Sequence, residues 1–212
     1  MPTLHGVALS PFVRKVRVAL AEKGVDCESV PQLPFGQSDE YRQKSPLGKV
    51  PCWEDGDFIL PDSSCIISYL ERVHDRPALY PSDPKEHGRA LWYEEYADSK
   101  LMDTLSPVFF QRFVQKTFFK QEPDEAAVAQ ALVDAEPYFD YLDGEIGDRA
   151  AMVGDRFSIA DIALGSVFVN FAHGGEKVDA GRWPRLAAYL EGIHSRPSFK
   201  GIIEGEKAET GA

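Results

Sequence analysis

The sequence is short of the residues that build metal sites and covalent frameworks. Its 212 residues include 3 cysteines (Cys27, Cys52 and Cys65) and 5 histidines. No two cysteines form a CxxC pair, and no two histidines stand three or four residues apart. Neither a disulfide framework nor a metal site is therefore expected. The cysteines read as buried and unreactive, in a reduced, cytoplasmic setting. Positive charge is also scarce. Lys and Arg number 23 against 34 Asp and Glu, a formal charge of −11. A surface this acidic repels phosphate backbones and anionic lipid, so no nucleic acid and no membrane partner is expected. No apolar run approaches the ~20 residues needed to cross a bilayer. The start, Met1 to Val7, has no basic segment followed by an apolar stretch and does not read as a secretory signal.

What is present is an ordinary globular mixture. Hydrophobic residues make up 43% of the chain, enough for a real core. Residues 3–7 and 27–31 read as short strands. Between them, Val13, Val16 and Leu20 form one apolar stripe of a helix from Phe12 to Lys23, with Gly24 as its C-terminal cap. A strand–helix–strand unit implies a parallel pair with a right-handed crossover. Gln32 to Lys44 reads as a polar loop. Val50–Trp53 and Phe58–Leu60 flank Glu54-Asp55-Gly56-Asp57 as an antiparallel hairpin. Asp62 to Val73 closes the unit as a helix with Ile66, Ile67, Tyr69 and Leu70 inward. Prolines 77, 81 and 84 then mark a linker. Everything beyond reads as helix, at about 85–118, 123–146, 158–172 and 184–195, with a short C-terminal piece and a mobile tail from Glu204 to Ala212. Phe157-Ser158-Ile159-Ala160-Asp161-Ile162 is a capping box with a hydrophobic staple, a folding device.

Three segments can carry chemistry. In Ser10-Pro11-Phe12, Ser10 is a preferred N-cap and Pro11 a preferred first helical residue. The cap alone explains the serine. Its hydroxyl is also a donor at the positive end of a helix. A thiolate held above it would accept that hydrogen bond and feel the dipole, and both effects lower a thiol pKa from ~8.5 toward neutrality. In Ser45-Pro46-Leu47-Gly48-Lys49-Val50-Pro51, Lys49 is either a solvated loop lysine or a cation for a ligand carboxylate. In Leu60-Pro61-Asp62-Ser63, Asp62 and Ser63 either cap a helix or bind an α-amino acid. In the second case the side-chain carboxylate takes the ammonium, and the hydroxyl and free N–H groups take the ligand carboxylate.

These segments, in this order and at these spacings, resemble the glutathione transferase family over nearly the whole chain. The resemblance implies an α/β thioredoxin-like N-terminal domain (βαβ-ββα) plus an all-α C-terminal helical domain. The expected boundaries are 1–76 for the glutathione-binding domain, 77–84 for the linker and 85–212 for the helical domain that lines the electrophile site. Ser10 stands where serine-type members carry the catalytic serine, and its Ser-Pro-Phe context is most similar to the tau class. Val50 would pair its backbone with the cysteinyl part of glutathione, ahead of a cis Pro51. Asp62 and Ser63 match the acidic-Ser pair that holds the γ-glutamyl end. Lys49, and secondarily Lys44, would face the glycine carboxylate.

The implied activity is conjugation of glutathione, a co-substrate, to a small hydrophobic electrophile, with transfer of alkyl or aryl groups. Phe12, Trp92, Tyr96 and Phe109 are the candidate electrophile contacts, with Leu101, Phe110 and Phe113 beside them; aromatics at helical spacing also serve as core. Arg14, Lys15 and Arg17 are expected to be mostly solvent-facing. The resemblance further implies a homodimer, with Asp98 a candidate for reaching the partner subunit's glutathione. The competing reading is a non-catalytic ligand-binding or regulatory protein of the same fold.

Overall fold

The computed structural model describes residues 1–210. They form two compact units, Met1–Tyr80 together with the segment that begins at Pro197, and Pro81–Arg196. The division falls inside the proline-rich stretch, where prolines 77, 81 and 84 remove N–H groups that a helix needs.

The first unit runs β1 (Thr3–His5), α1 (Pro11–Lys23), β2 (Glu28–Val30), α2 (Asp39–Lys44), β3 (Cys52–Asp55), β4 (Phe58–Pro61) and α3 (Ser63–Val73). Its strands form a mixed sheet in the order β2-β1-β3-β4, with β1 and β2 parallel and the other pairs antiparallel. The βαβ-ββα order expected from the residues is the one found. Val13, Val16 and Leu20 of α1 are buried with Leu4, Trp53, Ile66, Ile67 and Leu70. Gly24 ends α1 in the left-handed region (φ 64°) and donates its N–H to the carbonyls of Leu20 and Ala21.

In the second unit, α4 (Pro84–Tyr96) passes through a π-helical stretch, Ala97–Leu101, into α5 (Met102–Phe109) and a second one, Phe110–Phe119. Then follow α6 (Glu125–Ile146), α7 (Ile159–His173) and α8 (Pro184–His194). Helix α7 is buried almost all round, as its uniformly apolar sequence requires. Its start carries the capping box. Asp161 Oδ2 accepts the Ser158 N–H at 2.7 Å, while Oδ1 accepts the Met152 N–H and the Tyr189 hydroxyl, also at 2.7 Å. Burial pushes the Asp161 carboxyl up, and these hydrogen bonds oppose the shift. Among the described residues no helix is long and apolar enough to cross a membrane.

The structure corrects the sequence reading in four places. Within the expected polar loop, Asp39–Lys44 is a helix, because Ser38 caps it by accepting the Tyr41 N–H and Asp39 and Glu40 favour its positive end. Cys65 is exposed, whereas Cys52 is buried and Cys27 half-buried. Ser63, Ile66, Ile67 and Leu70 take the inner face of α3, and Cys65 falls on the other side. Arg14 and Lys15 are not solvent-facing; both are fully buried. Finally, the polar tail from Glu204 is helical as far as Thr210, within α9 (Pro197–Thr210), and α9 packs on α1 rather than joining the other C-terminal helices. Gly211 and Ala212 lie outside the described residues.

The last two corrections share a cause. Arg14 Nε and Nη2 donate to the two carboxylate oxygens of Glu206 at 2.8 and 2.7 Å, and both side chains have 0% exposure. Two desolvated charges compensate each other only in a tight bidentate pair. Phe199 and the Ser198–Glu22 hydrogen bond complete the contact. A similar device holds the interdomain stretch. Buried Lys23 donates to the carbonyls of His74 and Pro77 and pairs with Glu71 at 2.7 Å. Glu71 in turn accepts the Leu79 N–H.

Removing one partner of the buried pair strands the other. Glu206→Ala should destabilise the protein by ~3–5 kcal/mol, and a combined Arg14→Met, Glu206→Leu replacement should recover most of the loss. Urea unfolding of the three proteins is the measurement. A loss of less than ~1 kcal/mol in the single variant, the scale of an exposed pair, would mean the ion pair does not hold α9.

Candidate active site

The register of the sheet brings three connections to one end of it. His5, the last residue of β1, pairs with Cys52, the first of β3, and Cys52 pairs with Pro61, the last of β4. The chain before α1, the Lys49–Pro51 segment and the start of α3 therefore all leave from the same edge. The three segments singled out by sequence are the ones that meet here. The Asp62 N–H, donating to the Pro51 carbonyl at 3.3 Å, ties two of them directly.

Ser10 caps α1 with its Oγ accepting the Val13 N–H at 3.4 Å. A hydroxyl that accepts still has its proton to donate. Asp62 caps α3, with Oδ1 accepting the N–H groups of Ser64 and Cys65 at 3.0 and 3.1 Å. Its backbone sits at φ 80°, ψ 127°, a region an L-residue rarely enters. Such strain costs about 1–3 kcal/mol and collects at binding and catalytic sites. Ser63, beside it, is buried.

Between these helix starts the Val50–Pro51 bond is cis, as the resemblance implied. Val50 is 7% exposed, yet among the described residues neither its N–H nor its C=O makes a hydrogen bond. Buried backbone groups are almost always paired, so an unpaired strand-like residue is a place where an extended ligand can add itself. Lys49 forms no ion pair among the described residues and is available for an anion. Lys44 is differently placed. Its ammonium donates to Glu54 Oε2 at 2.7 Å, and His5 Nε2 lies 2.9 Å from the same oxygen.

The comparisons with known proteins bear on the family of the chain. Residues 4–78 match the family model of the glutathione S-transferase N-terminal domain, and residues 125–192 that of the C-terminal domain. The uncharacterized GST-like protein YibF of Escherichia coli (strain K12) is 32% identical over 202 residues, 92% of this chain and 95% of that one. The chain belongs to the glutathione S-transferase family. Among solved structures, a glutathione S-transferase from Rhodospirillum rubrum F11 is similar at a TM-score of 0.87 and 25% identity, covering 95% of this chain and 91% of that one. A glutathione S-transferase from Methylobacterium radiotolerans JCM 2831, in complex with glutathione sulfonate, is similar at 0.77 and 30% identity, covering 95% and 94%.

The aromatic candidates of this transferase-family chain are not one group. Phe12 belongs to the first unit, at the second position of α1. In the second unit, Trp92 and Tyr96 cluster with Tyr138 and Tyr141, while Phe109 stacks on Phe113 at 5.1 Å beside His173. Thirteen residues of helix, roughly 20 Å, separate Tyr96 from Phe109.

Sequence reasoning overlooked two sets of residues. Tyr41 and Ser45 both donate to the Lys49 carbonyl. Reading residues 32–44 as loop hid Tyr41, and Ser45, though inside a segment singled out by sequence, was given no role. The Lys15 ammonium donates to Ser64 Oγ at 3.1 Å, between α1 and the start of α3. A lysine between Arg14 and Val16 carries no signal of burial.

The Lys44–Glu54–His5 cluster predicts an acid response. The hydrogen bond from Lys44, then that from His5, holds the Glu54 carboxyl below its usual range. A depressed carboxylate adds stability above the ordinary value of ~4.3 and loses it as pH falls through the folded value. Glu54→Gln should flatten the acid limb of the melting temperature below about pH 5. An acid limb identical to that of the unaltered protein would contradict the assignment.

Proposed function

We propose that the protein is a serine-type glutathione transferase, tau-like in its Ser-Pro-Phe start, in which Ser10 stabilises the thiolate of bound glutathione. The observation that carries the reading is the meeting of Ser10, unpaired Val50 and the Asp62–Ser63 helix start at one end of the sheet. Val50 and Pro51 bind the cysteinyl backbone and Asp62 and Ser63 the γ-glutamyl end, with Lys49 at the glycine carboxylate. Ser10 accepts from Val13 and donates its proton in a hydrogen bond to the sulfur. The α1 N-terminus adds its positive end. The thiolate then attacks an electrophilic carbon, the carbon–sulfur bond forms, and the leaving group departs with the electron pair. Ser10 acts as a donor and not a nucleophile, since among the described residues no base is hydrogen-bonded to it.

The electrophile is a small hydrophobic molecule that carries an alkyl or aryl group. Phe12, Trp92, Tyr96 and Phe109 are its proposed apolar contacts. Exposed Trp92 and Tyr141 also suit a homodimer interface. The acidic surface and reduced cysteines suit the cytoplasm. The non-catalytic alternative is disfavoured by the intact set Ser10, Lys49, Asp62 and Ser63.

Ser10→Ala should raise the pKa of the bound thiol by ~1–2 units, and turnover at neutral pH should fall ~10–100-fold with glutathione affinity nearly unchanged. The checks are the ultraviolet absorbance of the thiolate against pH and conjugation of a chlorodinitrobenzene-type electrophile. An unshifted thiol titration in the variant would remove Ser10 from the mechanism. Failure of the unaltered protein to conjugate while it still retains glutathione would favour the carrier reading.

A further inference from the structure

The Lys49 carbonyl is a doubly occupied acceptor. Tyr41 Oη donates to it at 2.9 Å and Ser45 Oγ at 2.8 Å, which uses both of its lone pairs. Both donors are rigid. Tyr41 is 5% and Ser45 1% exposed, one inside α2 and the other at its C-terminal cap. The turn between Ser45 and Lys49 is equally determined. The Gly48 N–H donates to the Ser45 carbonyl at 2.8 Å, Pro46 stands at the second turn position, and Gly48 has φ 63°. A Cβ at Gly48 would come within 2.6 Å of Gln37 Oε1, whose amide nitrogen already donates to the Gly48 carbonyl. Fixing that carbonyl fixes more than one atom. The Lys49–Val50 peptide is trans and planar, so the Val50 N–H points opposite to the Lys49 C=O. With the carbonyl pinned against α2, the N–H is directed away from α2, where it has no partner among the described residues.

We propose that Tyr41 and Ser45 are positioning residues that aim the Val50 N–H at the peptide backbone of the bound ligand. They never touch that ligand. They act through one peptide plane, and they make the amide a preorganised donor at no reorganisation cost on binding. The ligand that profits is one with an extended amide carbonyl at that position; a thiol without a peptide group gains nothing. The inference rests on the glutathione reading of the site.

The test replaces the two hydroxyls, singly and together, in the full chain. Tyr41→Phe and Ser45→Ala should each weaken glutathione binding ~3-fold, and the double variant ~10-fold or more, in calorimetry. Turnover at saturating glutathione and the pKa of the bound thiol should stay unchanged, a split that general destabilisation does not produce. Glutathione should slow hydrogen exchange of the Val50 amide in the unaltered protein, and this protection should drop in the double variant. Tyr41→Phe, which keeps the ring, carries the test alone if the double variant does not fold. Unchanged affinity in the variants, or lost turnover at unchanged affinity, overturns the proposal and leaves the glutathione reading standing. Failure of the unaltered protein to bind glutathione overturns both.

Discussion

Cys52 pairs with His5 on one side and with Pro61 on the other, and the site depends on that double pairing. A shift of one residue in either ladder would send alternate side chains to the opposite face and separate the ends of β1 and β4 from the start of β3. With the register as it is, two helix N-termini and one unpaired strand-like residue share an edge. Helix starts carry unsatisfied N–H groups and the positive end of the dipole. Those are the kinds of complement that an anionic peptide would need.

Electrostatics sharpen this picture. The chain carries a formal charge of −11, yet glutathione is itself a net anion, so the overall field opposes binding. Any group that counters it must act locally, as the N-termini of α1 and α3 and Lys49 would. Arg14, Lys15 and Lys23 are buried in one helix. Arg14 is neutralised by Glu206, and Lys23 by Glu71. Lys15 donates to the Ser64 hydroxyl at the start of α3.

The same helix joins the ends of the chain. Its apolar stripe is buried, with α3 packed beside it, and its Arg14 receives Glu206 from the last helix. The helix that presents Ser10 is thus held by hydrophobic contact on one face and by a desolvated ion pair on another. The role proposed for Ser10 would need such over-determination, because a misplaced hydrogen bond to sulfur stabilises little.

Much of this was legible in the residues. The periodicity of α1 and α3, the Asp55-Gly56 hairpin, the proline run and the Ser158–Asp161 capping box are local patterns, and local patterns determine elements. Ser10 and Asp62 were readable as helix caps because capping follows short-range chemistry, while the binding roles given to them and to Lys49, Val50 and Ser63 are proposals. What sequence left open depended on partners distant along the chain. Whether Arg14 faced solvent turned on Glu206, 192 residues away. Whether the polar tail was ordered turned on the same pair. Tyr41 and Ser45 acquired a role only when the fold placed the Lys49 carbonyl between them. The sequence by itself determined the elements and their caps, since those are decided within a few residues. The tertiary structure alone decided which charges were buried and where the Val50 amide points, since both are set by groups that meet only after folding.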